Sequence, residues 1–193
     1  MFQKDRFIED CKGAVAEGQR AIRELVAAAV ADPAGIMAEL GAPTQAGVYP
    51  LYQAGDLTVI NFVWAPYMSL LPHNHRMFAV IGIYTGREDN IFWRRLEGEG
   101  DPTAPAVEAA GAESMGVGQV ATMGREIIHS VANPIGKLTS AIHVYGGDFF
   151  NPPQPRSQWD HETLVEEAWD MNNTREVFRQ ADIRFRAGQE AGA

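Results

Sequence analysis

Cysteine occurs once in the 193 residues, at Cys11, so neither an intrachain disulfide framework nor a zinc ribbon built on cysteine pairs is open to this chain. Cations are in the minority: 16 Lys and Arg stand against 25 Asp and Glu, a formal charge of -9, and no basic run exceeds the pair Arg94-Arg95. A surface that grips nucleic-acid phosphates needs clustered cations, so no nucleic acid is expected as a partner. Long hydrophobic runs are missing as well. The most apolar stretches, Ile60 to Leu71 and Phe78 to Tyr84, fall short of the roughly 20 residues of a membrane helix. The amino terminus interrupts its apolar residues with charges, unlike a signal peptide. The expectation is one domain in a reducing cytoplasm, with no membrane partner.

What is present changes character twice along the chain. From Phe2 to Val30 the residues Phe7, Ile8, Cys11, Val15, Ile22, Leu25, Val26 and Ala29 recur at helical steps, predicting one long helix or two shorter ones. Asp32-Pro33 is a cap and first-turn pair, and Gly41 with Pro43 is a stop, predicting a short helix over Pro33 to Leu40. Residues 1–45 are thus a helical segment. Residues 46–153 carry short runs of Val, Ile, Tyr, Phe and Trp broken by Gly, Pro, Asn and Asp, the pattern of a β-barrel or sandwich. Seven strands are predicted: Val48 to Gln53, Leu57 to Trp64, Phe78 to Tyr84, Asn90 to Leu96, Gln119 to Ala121, Ile127 to Val131 and Leu138 to Tyr145. The Gly-, Ala- and Glu-rich interval Glu97 to Met115 reads as a surface loop with at most one short strand, and whether it closes as a lid stays open. Residues 154–193 regain a helical period. Asp160 is the expected cap for Leu164, Val165, Ala168 and Trp169, with a break at Asn172-Asn173 and a last helix over Arg175 to Phe185.

The five histidines are the informative residues. His73 and His75 stand two apart in Pro72-His73-Asn74-His75; in an extended segment both point to one face. His129 lies more than fifty residues on, in a β-branched run ended at Asn133-Pro134. Two imidazoles from one segment and a third from a distant strand form a plausible site for zinc, iron, copper or nickel. His161, just after Asp160, reads as a surface residue in a helix.

Pro72-His73-x-His75 with Gly86, followed by His129-x-x-x-Asn133, resembles the two motifs of the cupin superfamily. That resemblance implies a mainly β fold, a double-stranded β-helix (cupin jelly-roll barrel) with amino- and carboxy-terminal helices packed on it. The usual cupin glutamate after the histidine pair is absent, since Arg76, Met77, Phe78, Ala79 and Val80 follow. A carboxylate-free three-histidine site, with Ala141-Ile142-His143-Val144-Tyr145 downstream, is similar to the thiol dioxygenases, the group containing cysteine and 3-mercaptopropionate dioxygenases.

The resemblance implies Fe(2+) on His73, His75 and His129, with Tyr145 and His143 acting beside it on a small thiol and O2 to give a sulfinate. Val80 stands where the family's cross-linking cysteine would, so no Cys-Tyr cofactor forms. Ala141 takes the place of the family's serine, and Ser140 points to the other strand face. The family's carboxylate-binding arginine has no counterpart in Val48 to Tyr52, which argues against cysteine itself as substrate. Arg76, Arg87, Arg94 or Arg95 is left to take its place, or else an apolar pocket of Tyr49, Tyr52, Trp64, Met77, Phe92 and Trp93. Arg76, Trp64 and Met77 are the candidate substrate contacts. Other outcomes stay open: a cupin enzyme using zinc, nickel or manganese, or a binding or sensor protein without turnover. A homodimer is a further expectation.

Overall fold

The amino-terminal periodicity belongs to two helices. α1 (Lys4–Ala14) and α2 (Gln19–Val30) are separated by a 3-10 turn at Val15–Glu17 and by Gly18, whose φ of 93° breaks the helical path. α3 covers Pro33–Leu40 as predicted, because the Asp32 side chain accepts the Gly35 N–H at 2.9 Å and Pro33 has no N–H to satisfy. The chain, seen in a computed structural model, is described over residues 1–96 and 103–191.

Nine strands follow in sequence: β1 (Gly47–Gln53), β2 (Thr58–Trp64), β3 (Ser69–Asn74), β4 (Ala79–Thr85), β5 (Arg87–Arg95), β6 (Val107–Gly116), β7 (Val120–Met123), β8 (Ile128–Ala132) and β9 (Thr139–Tyr145). They form two antiparallel sheets ordered β1-β2-β9-β4-β7 and β3-β8-β5-β6. The pairs nest, β2 with β9, β3 with β8, β4 with β7 and β5 with β6, and successive pairs fall alternately in one sheet and the other. That winding is a double-stranded β-helix, or jelly roll.

The five-stranded sheet is covered on both faces, and every residue of β2 and β9 is buried. Its inner face contributes Ile60, Phe62, Trp64, Ile81, Ala141 and Tyr145 to the core between the sheets. Its outer face, with Val59, Val80, Tyr84, Ile142 and Val144, packs on Cys11, Ile22, Val26, Val30 and Ile36 from the three helices. Gly82 permits this contact, since a Cβ there would lie 2.5 Å from Val26 Cγ1 and 2.7 Å from Val30 Cγ1.

Four segments depart from the sequence expectation. β3 arises in Ser69–Asn74 despite Pro72, because its register with β8 shifts between Leu70 and His73 and relieves the proline of a ladder bond. β6 takes up nine residues of the interval read as a loop, Val107 to Met115, and ends at Gly116; it pairs with β5 at the sheet edge, and its Ala-, Gly- and Glu-rich residues are mostly exposed. The part of that reading at residues 97–102 lies outside the described residues. The helix expected after Asp160 is instead a hairpin, β10 (Ser157–Trp159) with β11 (Glu166–Ala168), which extends the second sheet through Gln158 opposite His73. Asp160 stabilises the hairpin turn, its Oδ1 accepting the N–H groups of Glu162 and Thr163 at 3.0 and 2.8 Å. His161 lies in this turn, exposed. The last helix, α4 (Met171–Ala191), runs through Asn172-Asn173 without a break and places Phe178 and Ala181 in the core.

Candidate metal centre

Register brings the histidines together. β3 and β8 pair antiparallel with His73 opposite His129, and His75 follows β3 directly. All three side chains are buried. His75 Nε2 lies 3.2 Å from His73 Nε2 and 3.4 Å from His129 Nε2, and one nitrogen from each ring falls within 4.8 Å of the others. Two donors each about 2.1 Å from a common ion, at the angles of octahedral or tetrahedral coordination, stand roughly 3.0–3.4 Å apart. The cluster therefore fits one metal ion.

The ring orientations are set from behind. His73 Nδ1–H donates to the Leu71 carbonyl at 2.8 Å, and His129 Nδ1–H donates to Asn90 Oδ1 at 2.7 Å. Asn90 is turned by its own donation from Nδ2 to Glu88 Oε1 at 3.0 Å. Both histidines are thereby held as the tautomer whose Nε2 lone pair faces the centre, the usual support of a metal-binding imidazole. Burial keeps all three neutral: His73 and His75 are pushed well below 6.5, and His129 to about 3, with Arg156 adding to the effect. Among the described residues no carboxylate or thiolate joins the cluster.

Tyr145 packs edge-on against His75 at 5.1 Å, and its hydroxyl lies 3.0 Å from His143 Nδ1. Both residues line the histidine cavity, with Phe62, Trp64, Leu70, Phe149 and Trp169 among the other walls. Trp64, a candidate substrate contact in the sequence, lines this cavity. Met77 is buried in the core, against Gly147, and does not line this cavity.

The arginine candidates are corrected. Arg76 pairs with Glu126 at 2.8 Å, Arg87 with Asp89 at 2.9 Å, Arg94 with Glu108 at 2.5 Å and Arg95 with Glu166 at 2.6 Å. All four are spent on surface ion pairs. The buried cation is Arg156, 5% exposed, which lies between the Phe149 and Trp169 rings at 4.3 and 4.4 Å. Its Nε donates to the Asn74 carbonyl at 2.9 Å and its Nη1 to the Phe149 carbonyl at 3.3 Å, while Nη2 has no partner among the described residues. Burial lowers its pKa to about 10, so it stays charged at neutral pH. Nothing in the run Asn151-Pro152-Pro153-Gln154-Pro155 before it marks Arg156 as held in place rather than solvated.

The histidine cavity is tight, at about 10 Å³, less than the room one water occupies. A cavity of about 880 Å³ lies elsewhere, on the outer face of the second sheet around Leu71, Asp89, Ile91, Trp93 and Ser130. The two share Leu70, Val131, Trp169 and Thr174 as walls.

No protein-family model matches this sequence, and no curated protein matches it either. Solved structures do. An RmlC-like cupin family protein with a double-stranded β-helix fold from Methanocaldococcus jannaschii is similar at 11% identity and a TM-score of 0.44, over 56% of this chain and 85% of that one. Oxalate decarboxylase from Bacillus subtilis is similar at 12% identity and a TM-score of 0.44, over 60% of this chain and 28% of that one. A DMSP lyase from Ruegeria pomeroyi is similar at 14% identity and a TM-score of 0.41, over 54% and 48%. The similarity to each is confined to roughly half of this chain, and the double-stranded β-helix assigned to it follows from its own strand order.

Proposed function

We propose that this protein is a mononuclear iron enzyme that oxidises a small thiol bearing a carboxylate to its sulfinate. The observation that carries the reading is a charge imbalance. Three neutral imidazoles converge on one point with no anion among them, and a buried guanidinium with an unpartnered Nη2 lies behind Phe149 and Trp169, two of the cavity's walls. A divalent ion there and Arg156 leave a net positive interior, which is costly until anions enter. A mercaptocarboxylate supplies two, its thiolate toward the histidines and its carboxylate toward Arg156 Nη2.

When bound, a ferrous ion in such a site supplies open coordination positions, a lowered thiol pKa and electrons for dioxygen. The reaction balances as RSH + O2 giving RSO2⁻ + H⁺, with sulfur losing the four electrons that dioxygen gains. His73, His75 and His129 hold the ion. Arg156 orients the substrate, and the Phe149 and Trp169 rings fix the guanidinium and exclude water. The Tyr145 hydroxyl, steadied by His143, offers a hydrogen bond at the reacting atoms.

The test is oxygen uptake by ferrous-loaded protein with cysteine, 3-mercaptopropionate, mercaptosuccinate and cysteamine. Uptake is expected with a carboxylated thiol, weak with cysteamine and absent in His129→Ala. Stoichiometric iron without uptake on any thiol sinks the proposal.

A further inference from the structure

We propose that Glu88 is a positioning residue for Tyr145, acting through the His143 ring to set which way the tyrosine hydroxyl points. Three strands assemble the chain of contacts: Glu88 on β5, with His143 and Tyr145 on β9, and Trp64 of β2 beside them. Glu88 is fully buried, and its Oε1 is fixed by the Asn90 Nδ2 donor at 3.0 Å. Among the described residues its Oε2 has no partner within hydrogen-bond distance, although the Trp64 indole, whose Nε1 is also unpartnered, acts on the carboxyl as a donor and competes with His143 for it. The Nε2 of His143, equally buried, has no partner either, and the two atoms face each other at 3.9 Å. Two unpaired buried polar atoms of matching character, about 1 Å beyond bonding distance, are a hydrogen bond one small side-chain motion from closing. On the far side of the ring, His143 Nδ1 meets the Tyr145 hydroxyl at 3.0 Å. Strand β9 offers no other third member. Its alternation puts Ala141 on the inner face with Tyr145, and Ser140 on the opposite face near Tyr84.

A single proton decides the direction of the chain. With Glu88 protonated, its O–H donates to His143 Nε2, His143 Nδ1–H donates to the tyrosine oxygen, and the tyrosine proton is free to point into the cavity. With Glu88 ionised, His143 Nε2–H donates to the carboxylate, Nδ1 accepts the tyrosine proton, and only tyrosine lone pairs face the cavity. The carboxyl titrates in the range where this matters: burial raises its pKa to about 7, against side-chain hydrogen bonding from Asn90 and from Trp64. The other charged or titratable neighbours are Asp89, which raises Glu88 further, His129, which acts on His143, and Arg156, which acts on Tyr145. The site therefore presents a donor below pH 7 and an acceptor above it. That the hydroxyl faces reacting atoms rests on the function proposed above; the coupling of Glu88 to the ring does not.

The experiment reads the His143 tautomer by long-range proton–nitrogen spectra of ring-labelled, metal-free protein between pH 5.5 and 8.5. The wild type is expected to pass from the Nδ1–H form at low pH to the Nε2–H form at high pH. In Glu88→Gln the side-chain carbonyl keeps the Asn90 bond, and the amide N–H faces Nε2, so His143 is expected to hold the Nδ1–H form throughout. The His129 Nδ1–H signal serves as the folding control. If the wild-type tautomer is the same across this range, the proposal is overturned, whether or not the variant folds. A variant that folds yet titrates as the wild type does overturns it as well. In the loaded enzyme, a pH dependence of kcat seen in the wild type should be absent in Glu88→Gln, with KM shared. Tautomer switching without thiol oxidation would sink the reaction assigned above and leave the coupling standing.

Discussion

His129 shows how little of a candidate metal ligand lies in the residue itself. Its ring is placed by β-strand register and its tautomer by Asn90, so Asn90→Ala should weaken metal binding about 10- to 100-fold while leaving three histidines in place. Calorimetric titration with zinc or ferrous ion checks this, with His129→Ala as the variant that loses binding. Arg156 makes a parallel case for substrate. Arg156→Met should raise KM about 10- to 100-fold for a carboxylated thiol, the worth of one charge-assisted bond, and leave cysteamine unaffected. The His-x-His pair and the distant His129 were legible in the sequence because imidazoles at those spacings are a chemical pattern. Arg156 was not, because its distinguishing property is burial without an acidic partner, and a lone arginine after a proline-rich turn looks like any other. The buried histidines also set an acid limit. In the metal-free protein His129 and His143 are depressed in the folded state, so the unfolded chain takes up their protons first, below about 6.5. Stability contributed by each is complete above that pH and is lost as pH falls, by about 1.4 kcal/mol per unit and per histidine. Glu88, raised in the fold, works the other way between its unfolded value near 4.5 and about 7, but is one group against several. Urea midpoints measured at pH 5 and pH 7.5 should show the loss at pH 5.

At the scale of elements, strands with β-branched alternation and the capped helix α3 were readable, since propensity and burial agree there. β6 was hidden because an exposed edge strand of Ala, Gly and Glu owes its form to its partner β5 rather than to its own residues. The β10–β11 hairpin was hidden because Leu164, Val165, Ala168 and Trp169 happen to recur at helical steps. That hairpin and the start of α4 carry Trp169, which lies 4.7 Å from His73 and 4.4 Å from Arg156. With a cavity of about 10 Å³, the proposed substrate has room only if a wall such as Trp169 yields. Trp169→Ala should therefore open the site, raising the rate for bulkier thiols relative to 3-mercaptopropionate in oxygen-uptake assays. On the other side of the barrel, Gly82→Val should cost about 1–3 kcal/mol by pushing α2 off β4, read as a lower denaturant midpoint.

For the molecule as a whole, no helix among the described residues is long and apolar enough to cross a membrane. The all-β pattern of a barrel or sandwich followed from strand count and spacing, and the double-stranded β-helix only from the resemblance of the histidine motifs. The winding that makes it a double-stranded β-helix is a matter of which distant strands pair, and local sequence does not state it. A metal that binds only the folded chain should stabilise it by about 2.7 kcal/mol at a hundredfold excess over Kd, a rise in Tm of roughly 5–10 °C that His129→Ala abolishes.

The pairing of His73 with His129 across β3 and β8 has a consequence for folding. Side chains alternate along a strand, so a slip of one residue between these two would turn one imidazole away from the other and dismantle the cluster. Tight metal binding is therefore a proofreading signal: a refolded molecule that takes up one ion has its central strands in the native register, and metal added during refolding should draw misregistered chains toward it.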